Sequence, residues 1–188
     1  MTTQERLKTV DDLWRIVHHS DNASRRFELK NGVIYEVHPP GREHGKVTLR
    51  FGSRILIHVE AKDLGEVTVE TGYYDPQDTL NAQGPDIAFT SKARMLDESV
   101  KGYVPQMPDL AVEVKSPENT VKSLHEKAEY YLRHGAKLVW LVYPGTRTLD
   151  VCTLVDDTFT VKTLREDDVL EGGEVLPGFQ LPIREIFP

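Results

Sequence analysis

The residues from Met107 to Glu118, MPDLAVEVKSPE, form a strand pattern with two charged residues in its apolar middle. Side chains on a strand alternate between two faces, so the leucine and the two valines share an apolar face that indicates packing on a core. Glu113 and Lys115 lie on the opposite face. They are either a surface ion pair on a half-buried strand, or part of a functional site if a second acid lies close to Glu113.

The segments that follow this strand predict a βαβ unit. Residues 119–134 carry apolar side chains along one side of a helix, and Gly135 is a typical helix stop. Residues 137–144, KLVWLVYP, are almost continuously apolar, which is typical of a strand covered on both faces. The two strands are therefore expected to be parallel, with a right-handed crossover.

The other segments predict a mixed sheet with helices around it. Asn31-Gly32 lies between two alternating runs and indicates a type I′ hairpin. Residues 42–62 have the apolar spacing of an amphipathic helix. The remaining predictions are a helix near 9–18, hairpin strands at 26–30 and 33–37, strands at 66–74 and 85–91, and a second hairpin at 148–154 and 158–164. The expected fold is α/β or α+β, with a mixed central sheet flanked by helices and an added hairpin at each end, in one domain over residues 1–188.

Composition excludes several classes of protein. The chain has 188 residues, 39% of them hydrophobic and 28% charged, which is enough for one domain with a real core. No apolar run approaches the roughly 18 residues of a membrane span, and the single cysteine excludes an internal disulfide or a zinc finger. A cytoplasmic location is expected. The net charge of −7 argues against a protein that coats nucleic acid by bulk electrostatics.

The candidates for the second acid are Asp86 and Asp109, each of which follows a proline and opens a strand. Asp109 lies four residues from Glu113 on one strand, roughly 13 Å away, which is too far for both to hold one ion. Asp86 is on another strand, and neighbouring strands are about 4.8 Å apart. We therefore expect Asp86 and Glu113 to share a divalent cation, with Lys115 close enough to act on its bound water.

These residues resemble the PD-(D/E)XK nuclease superfamily, and within it the "putative restriction endonuclease" family of bacterial proteins. The similarity covers the chain from about residue 25 onward. The segments that carry it are FELKNGVIYE, GPDIAF, PDLAVEVKSPEN, KAEYYLRHGAKLVWLVYP and LPGF. The resemblance implies a restriction-endonuclease-like fold, hydrolysis of DNA phosphodiester bonds, and a homodimer. It also implies Mg²⁺ as the cofactor, with Mn²⁺ as a substitute.

The resemblance assigns roles to individual residues. Asp86, Glu113 and Lys115 match the catalytic motif, and Asp86 and Glu113 with the carbonyl of Val114 match its metal ligands. Many members of this branch carry an apolar residue where this chain has Lys115. Two further residues are candidates for substrate binding, His44 at the start of the second helix and Lys127 on the helix after the catalytic strand. The alternatives are an exposed histidine at a helix start and a solvated helix lysine.

A second function is compatible with the same residues. The acidic balance, and the absence of an obvious element for reading DNA, favour a non-catalytic protein that keeps the nuclease fold as a binding or interaction module. Glu70 alternates with Val67 and Val69 and faces either the cleft or solvent; a surface strand position is expected.

Overall fold

Two β-sheets and three α-helices make up most of the computed structural model, which describes residues 6–23, 25–97 and 102–188. The helices are α1 (Val10–Val17), α2 (Arg42–Ala61) and α3 (Val121–Arg133). The strands are β1 (Arg26–Lys30), β2 (Val33–Val37), β3 (Gly65–Thr68), β4 (Tyr73–Asp75), β5 (Asp78–Gln83), β6 (Ile87–Ser91), β7 (Leu110–Val114), β8 (Leu138–Tyr143), β9 (Thr148–Val155), β10 (Thr158–Leu164), β11 (Val169–Glu171) and β12 (Gln180–Pro182). None of these helices is long and apolar enough to cross a membrane.

The central sheet has six strands in the order β10-β9-β8-β7-β6-β3. Strands β7 and β8 are parallel and are joined through α3, which confirms the predicted βαβ unit. The other neighbouring pairs are antiparallel, so the sheet is mixed as expected. The C-terminal hairpin differs from the prediction in one respect: β9 and β10 continue this sheet as its edge instead of forming an addition to it.

Helices cover both faces of the central sheet. On one face, Val47, Phe51 and Ile55 of α2 are fully buried against the apolar face of β7 and the C-terminal segment. On the other face, α3 packs through Leu124 and Ala128. Strand β8 contributes side chains to both cores, which accounts for its continuous apolar sequence.

The N-terminal hairpin belongs to a second sheet with the order β2-β1-β5-β4. Asn31 and Gly32 both have positive φ, at 49° and 73°, as a type I′ turn requires. The predicted strand over 66–74 is wrong, because the chain turns at Glu70, where φ is 49°, and divides into β3 and β4. Strand β5 was not predicted, and its pairing with β1 joins the hairpin to the body.

Asp109 has a structural role at the start of β7. Its carboxylate is almost fully buried and accepts hydrogen bonds from the Ser91 amide and Arg94, and it pairs with Lys137 at 2.8 Å. Burial alone would raise the pKa of Asp109, but these donors outweigh it and lower the pKa to about 2. The Asp109 side chain therefore connects the start of β7 to the end of β6 and to the segment before β8.

We expect Asp109→Asn to lower the free energy of unfolding by about 2 kcal/mol at pH 7. The folded-state pKa lies below the ordinary value, so this stabilisation is present above about pH 4 and is lost as the pH falls through 2. Denaturant titrations of both proteins between pH 2 and pH 7 measure the difference. A destabilisation that stays constant over this range would contradict the assignment.

Candidate active site

The two acids expected to converge are on neighbouring strands. Strands β6 and β7 are antiparallel, with Ile87 opposite Val112, and the same register extended by one residue puts Asp86 opposite Glu113. The Val114 amide donates a 2.6 Å hydrogen bond to Oδ2 of Asp86. This contact fixes the Asp86 carboxylate beside the end of β7.

His44 holds the other side of Asp86. It lies in the first turn of α2 and is buried, with Nε2 3.1 Å from Oδ2 of Asp86. Burial disfavours the charged imidazole, but the hydrogen bond and charge of Asp86 outweigh it and raise the pKa of His44 above its ordinary value. The structure therefore does not place His44 at an exposed helix start.

Glu113 is buried on the face covered by α3. Its Oε1 accepts a 2.9 Å hydrogen bond from the Tyr131 hydroxyl and lies 2.9 Å from Nζ of Lys127. Burial, with the nearby charge of Asp86, raises the pKa of Glu113 to about 7, although Lys127 acts in the opposite direction. The negative charge of Glu113 is therefore unfavourable in this buried position, and a nearby cation stabilises it.

Lys127 lies between two carboxylates. Its Nζ is 2.9 Å from Oε1 of Glu113 and 3.3 Å from Oε1 of Glu28 on β1, and 11% of its side chain is exposed. Burial disfavours the ammonium, but these two charges outweigh it and raise the pKa of Lys127. Lys127 is not the solvated helix lysine of the alternative reading.

Lys115 is placed differently from the expectation. Its Nζ donates to the carbonyl of Ser116 at 3.1 Å, and no ion pair joins it to Asp86 or Glu113 among the described residues. The ammonium next to Glu113 belongs to Lys127 instead. The structure brings together Asp86, Glu113, His44 and Lys127, and leaves Lys115 outside this group.

These side chains line one cleft of about 570 Å³. Its walls come from the hairpin, the start of α2, the ends of β5 and β7, and α3. Glu70 also lines the cleft and pairs with Arg26; it is exposed as expected, but it lies at the turn after β3 instead of in a strand. Glu70 has a φ of 49°, which is strained for a residue other than glycine, and such residues are common at functional sites.

Residues 10–184 match the Uma2 family, described as "Putative restriction endonuclease". The chain belongs to the Uma2 family. A crystal structure of a "putative nuclease belonging to DUF820" from Anabaena variabilis has the same fold, with a TM-score of 0.79. The two chains are 18% identical, and the match covers 95% of this chain and 97% of that one. No curated protein matches the sequence.

The carboxylate oxygens in the candidate site of this Uma2 protein fit Mg²⁺ as ligands. No group of three or more His, Cys, Asp or Glu side chains suited to a metal occurs in the described parts of the chain. Mg²⁺ does not require one, because proteins hold it through one or two carboxylates, with water and substrate phosphate completing the octahedron. Oδ1 of Asp86 and Oε2 of Glu113 accept no hydrogen bond from any residue that the structure describes, so both oxygens are free to bind an ion.

Sequence reasoning missed two members of this Uma2 site. Tyr131 lies four residues after Lys127 and therefore on the same face of α3, a spacing that signals a shared environment. Glu28 is in the hairpin, 85 residues before Glu113, and no local pattern links the two. Its place in the site depends on how the two sheets pack together.

Proposed function

We propose that the chain is a metal-dependent endonuclease that hydrolyses DNA phosphodiester bonds, with Mg²⁺ as the cofactor and Mn²⁺ as a substitute. The observation that carries this proposal is the facing pair of Asp86 and Glu113 at the ends of adjacent strands in the cleft. Membership of a family described as "Putative restriction endonuclease" supports the same chemistry and nucleic acid as the substrate.

Each residue has a role that follows from its contacts. Asp86 and Glu113, with the carbonyl of Val114, would hold the ion. A bound Mg²⁺ polarises a phosphodiester and lowers the pKa of a coordinated water. His44 and the Val114 amide orient Asp86, while Tyr131 orients Glu113. The Lys127 ammonium stabilises negative charge on the phosphate, and it occupies the position beside Glu113 that was expected for Lys115.

Incubation of the purified protein with duplex DNA and Mg²⁺ or Mn²⁺ tests the proposal. Cleavage is expected with either metal and should stop with EDTA. Glu113→Ala serves as the control for contaminating nucleases. Equal cleavage by the wild type and this variant would assign the activity to a contaminant and contradict the proposal.

The second candidate is a non-catalytic binding module with the same fold. It is favoured because Lys127 and His44 already contact the two carboxylates without a metal ion. Calorimetry separates the two functions. A module is indicated if Mg²⁺ does not bind and if Glu113→Ala is more stable than the wild type.

A homodimer is the assembly that the family resemblance implies, and the outer side of α2 offers a surface for it. Leu49 and Ile57 are 74% and 62% exposed there. We expect a second copy of the chain to cover these two side chains. Sedimentation of the purified protein measures the assembly.

Gln83 is a candidate substrate contact in the same cleft. It is 4% exposed, lines the cleft at the end of β5, and its Oε1 has no hydrogen-bond partner in the described residues. A buried polar atom without a partner costs about 1–3 kcal/mol. Because Oε1 is itself buried, a polar ligand in the cleft would supply the missing partner once the Gln83 amide turns toward it.

Gln83→Met is therefore expected to leave the free energy of unfolding unchanged or raise it by about 1 kcal/mol, while weakening DNA binding about 10-fold. Denaturant titration measures the first quantity, and the anisotropy of a labelled duplex in EDTA measures the second. Gln77→Met, at the exposed turn before β5, is the matched control and should change neither. If Gln83→Met binds DNA as tightly as the wild type, Gln83 does not contact the substrate.

A further inference from the structure

Glu28 is joined to the candidate site by a chain of alternating charges. Oε1 of Glu28 lies 3.3 Å from Nζ of Lys127, which lies 2.9 Å from Glu113. Oε2 of Glu28 lies 3.5 Å from Nζ of Lys30 on the same strand. Glu28 thus pairs with Lys30 on its own strand and contacts Lys127 across the cleft.

Binding of a cation at Glu113 changes the balance of charge around Lys127. In the structure, the Lys127 ammonium is shared by two carboxylates. Once Glu113 ligates a divalent ion, its negative charge is taken up by that ion, which also repels the ammonium. A buried ammonium without a partner is strongly unfavourable. Metal binding at this site therefore depends on a second carboxylate within reach of Lys127.

We propose that Glu28 is a positioning residue that retains the Lys127 ammonium when Glu113 binds a divalent cation. This inference rests on the proposed function, because it requires Glu113 to be a metal ligand. Lys127 then remains in the cleft as a charged group, close to the ion and to a bound phosphate. The hairpin in the second sheet thereby takes part in a metal site built on the central sheet.

Titration of Mg²⁺ by calorimetry tests the inference with four proteins: the wild type, Glu28→Gln, Lys127→Met and the double variant. Removing a residue that supports a metal ligand typically weakens metal affinity 10–100-fold. We expect Glu28→Gln to raise the dissociation constant at least about 10-fold. Lys127→Met should bind Mg²⁺ as tightly as the wild type or more tightly, since no ammonium then competes for Glu113.

The double variant gives the decisive comparison. If Glu28 acts through Lys127, adding Glu28→Gln to Lys127→Met changes the dissociation constant less than 2-fold. A residue with only a structural role would weaken Mg²⁺ binding in both backgrounds. Glu66→Gln on β3 removes the same charge from an exposed position outside the cleft, and should match the wild type. Glu28→Asp keeps the charge on a shorter side chain and should fall between the wild type and Glu28→Gln.

Three outcomes overturn the inference, and only the last of them also refutes the proposed metal site. If the wild type binds Mg²⁺ and Glu28→Gln binds it within 2-fold, Glu28 does not retain the ammonium, and the proposed function is unaffected. If Glu28→Gln weakens Mg²⁺ binding equally in the wild-type and Lys127→Met backgrounds, Glu28 does not act through Lys127, and the proposed function is again unaffected. If the wild type gives no heat with Mg²⁺, the metal site itself is refuted, and the inference fails with it. Circular dichroism confirms that each variant is folded.

Discussion

Glu113→Gln should cleave DNA at least about 1000-fold more slowly than the wild type and should show no measurable binding of Mg²⁺. The neutral amide has the size of the carboxylate but is a poor ligand for a hard cation. The Tyr131 hydroxyl keeps an acceptor in the amide oxygen, so the fold around β7 should be retained. Initial cleavage rates and calorimetry measure the two effects.

The stability of Glu113→Gln should depend on pH in a defined direction. The pKa of Glu113 in the folded protein, about 7, lies above its ordinary value. The stabilisation from its neutral form is therefore fully present below about pH 4.5 and is lost as the pH rises through 7. Between pH 4.5 and pH 8, the free energy of unfolding should shift in favour of the variant by about 3 kcal/mol.

The control for this substitution is Glu66→Gln on β3, an exposed position of the same sheet. It should retain Mg²⁺ binding and cleavage. A Glu113→Gln protein that still cleaves DNA with Mg²⁺ would show that Glu113 is not a ligand of the catalytic ion, and the proposed mechanism would not hold.

Lys127→Met should reduce the rate of DNA cleavage at least about 100-fold, whereas Lys115→Met should reduce it less than about 10-fold. The reason is position: the Lys127 ammonium lies beside Glu113, while that of Lys115 donates to the carbonyl of Ser116. Mg²⁺ binding should persist in both variants, so the loss should appear in kcat. Single-turnover cleavage at saturating metal measures it.

Lys122→Met is the matched control for this comparison, because Lys122 lies on the same helix with 87% of its side chain exposed. It should behave as the wild type. If Lys115→Met causes the larger loss, the lysine of the sequence motif performs the chemistry, and its side chain moves toward the acids when substrate binds.

The parts of the fold that sequence predicted correctly depend on local patterns. The turn at Asn31-Gly32 requires positive φ at two successive residues, and few residue pairs permit it. Helix α2 buries one residue in every four from Val47 to Val59, which is the spacing of a one-sided helix. The register of β6 against β7 is not local, yet it gives the facing positions of Asp86 and Glu113 that sequence reasoning proposed.

The parts that sequence did not predict depend on contacts between distant segments. Strand β5, DTLNAQ, has only Leu80 and Ala82 as apolar residues, which is too short an alternation to predict a strand, and its backbone pairs with β1 and β4. The turn at Glu70 occurs in a residue type that gives no sign of positive φ. The choice of Lys127 over Lys115 as the neighbour of Glu113 depends on where α3 lies against β7. None of these features has a signature within a short window of sequence.

The cleft lies between two sheets, and this arrangement affects which part of the chain is sufficient for the proposed activity. A fragment beginning at α2 would keep the hydrogen bonding of the six-stranded sheet together with Asp86, Glu113 and His44. It would lack the wall that carries Glu28, and β5 would lose its partner β1. If the proposed function is correct, residues 26–37 contribute a wall of the catalytic cleft, and homologous chains without this hairpin should have lost activity or acquired another acid to replace Glu28.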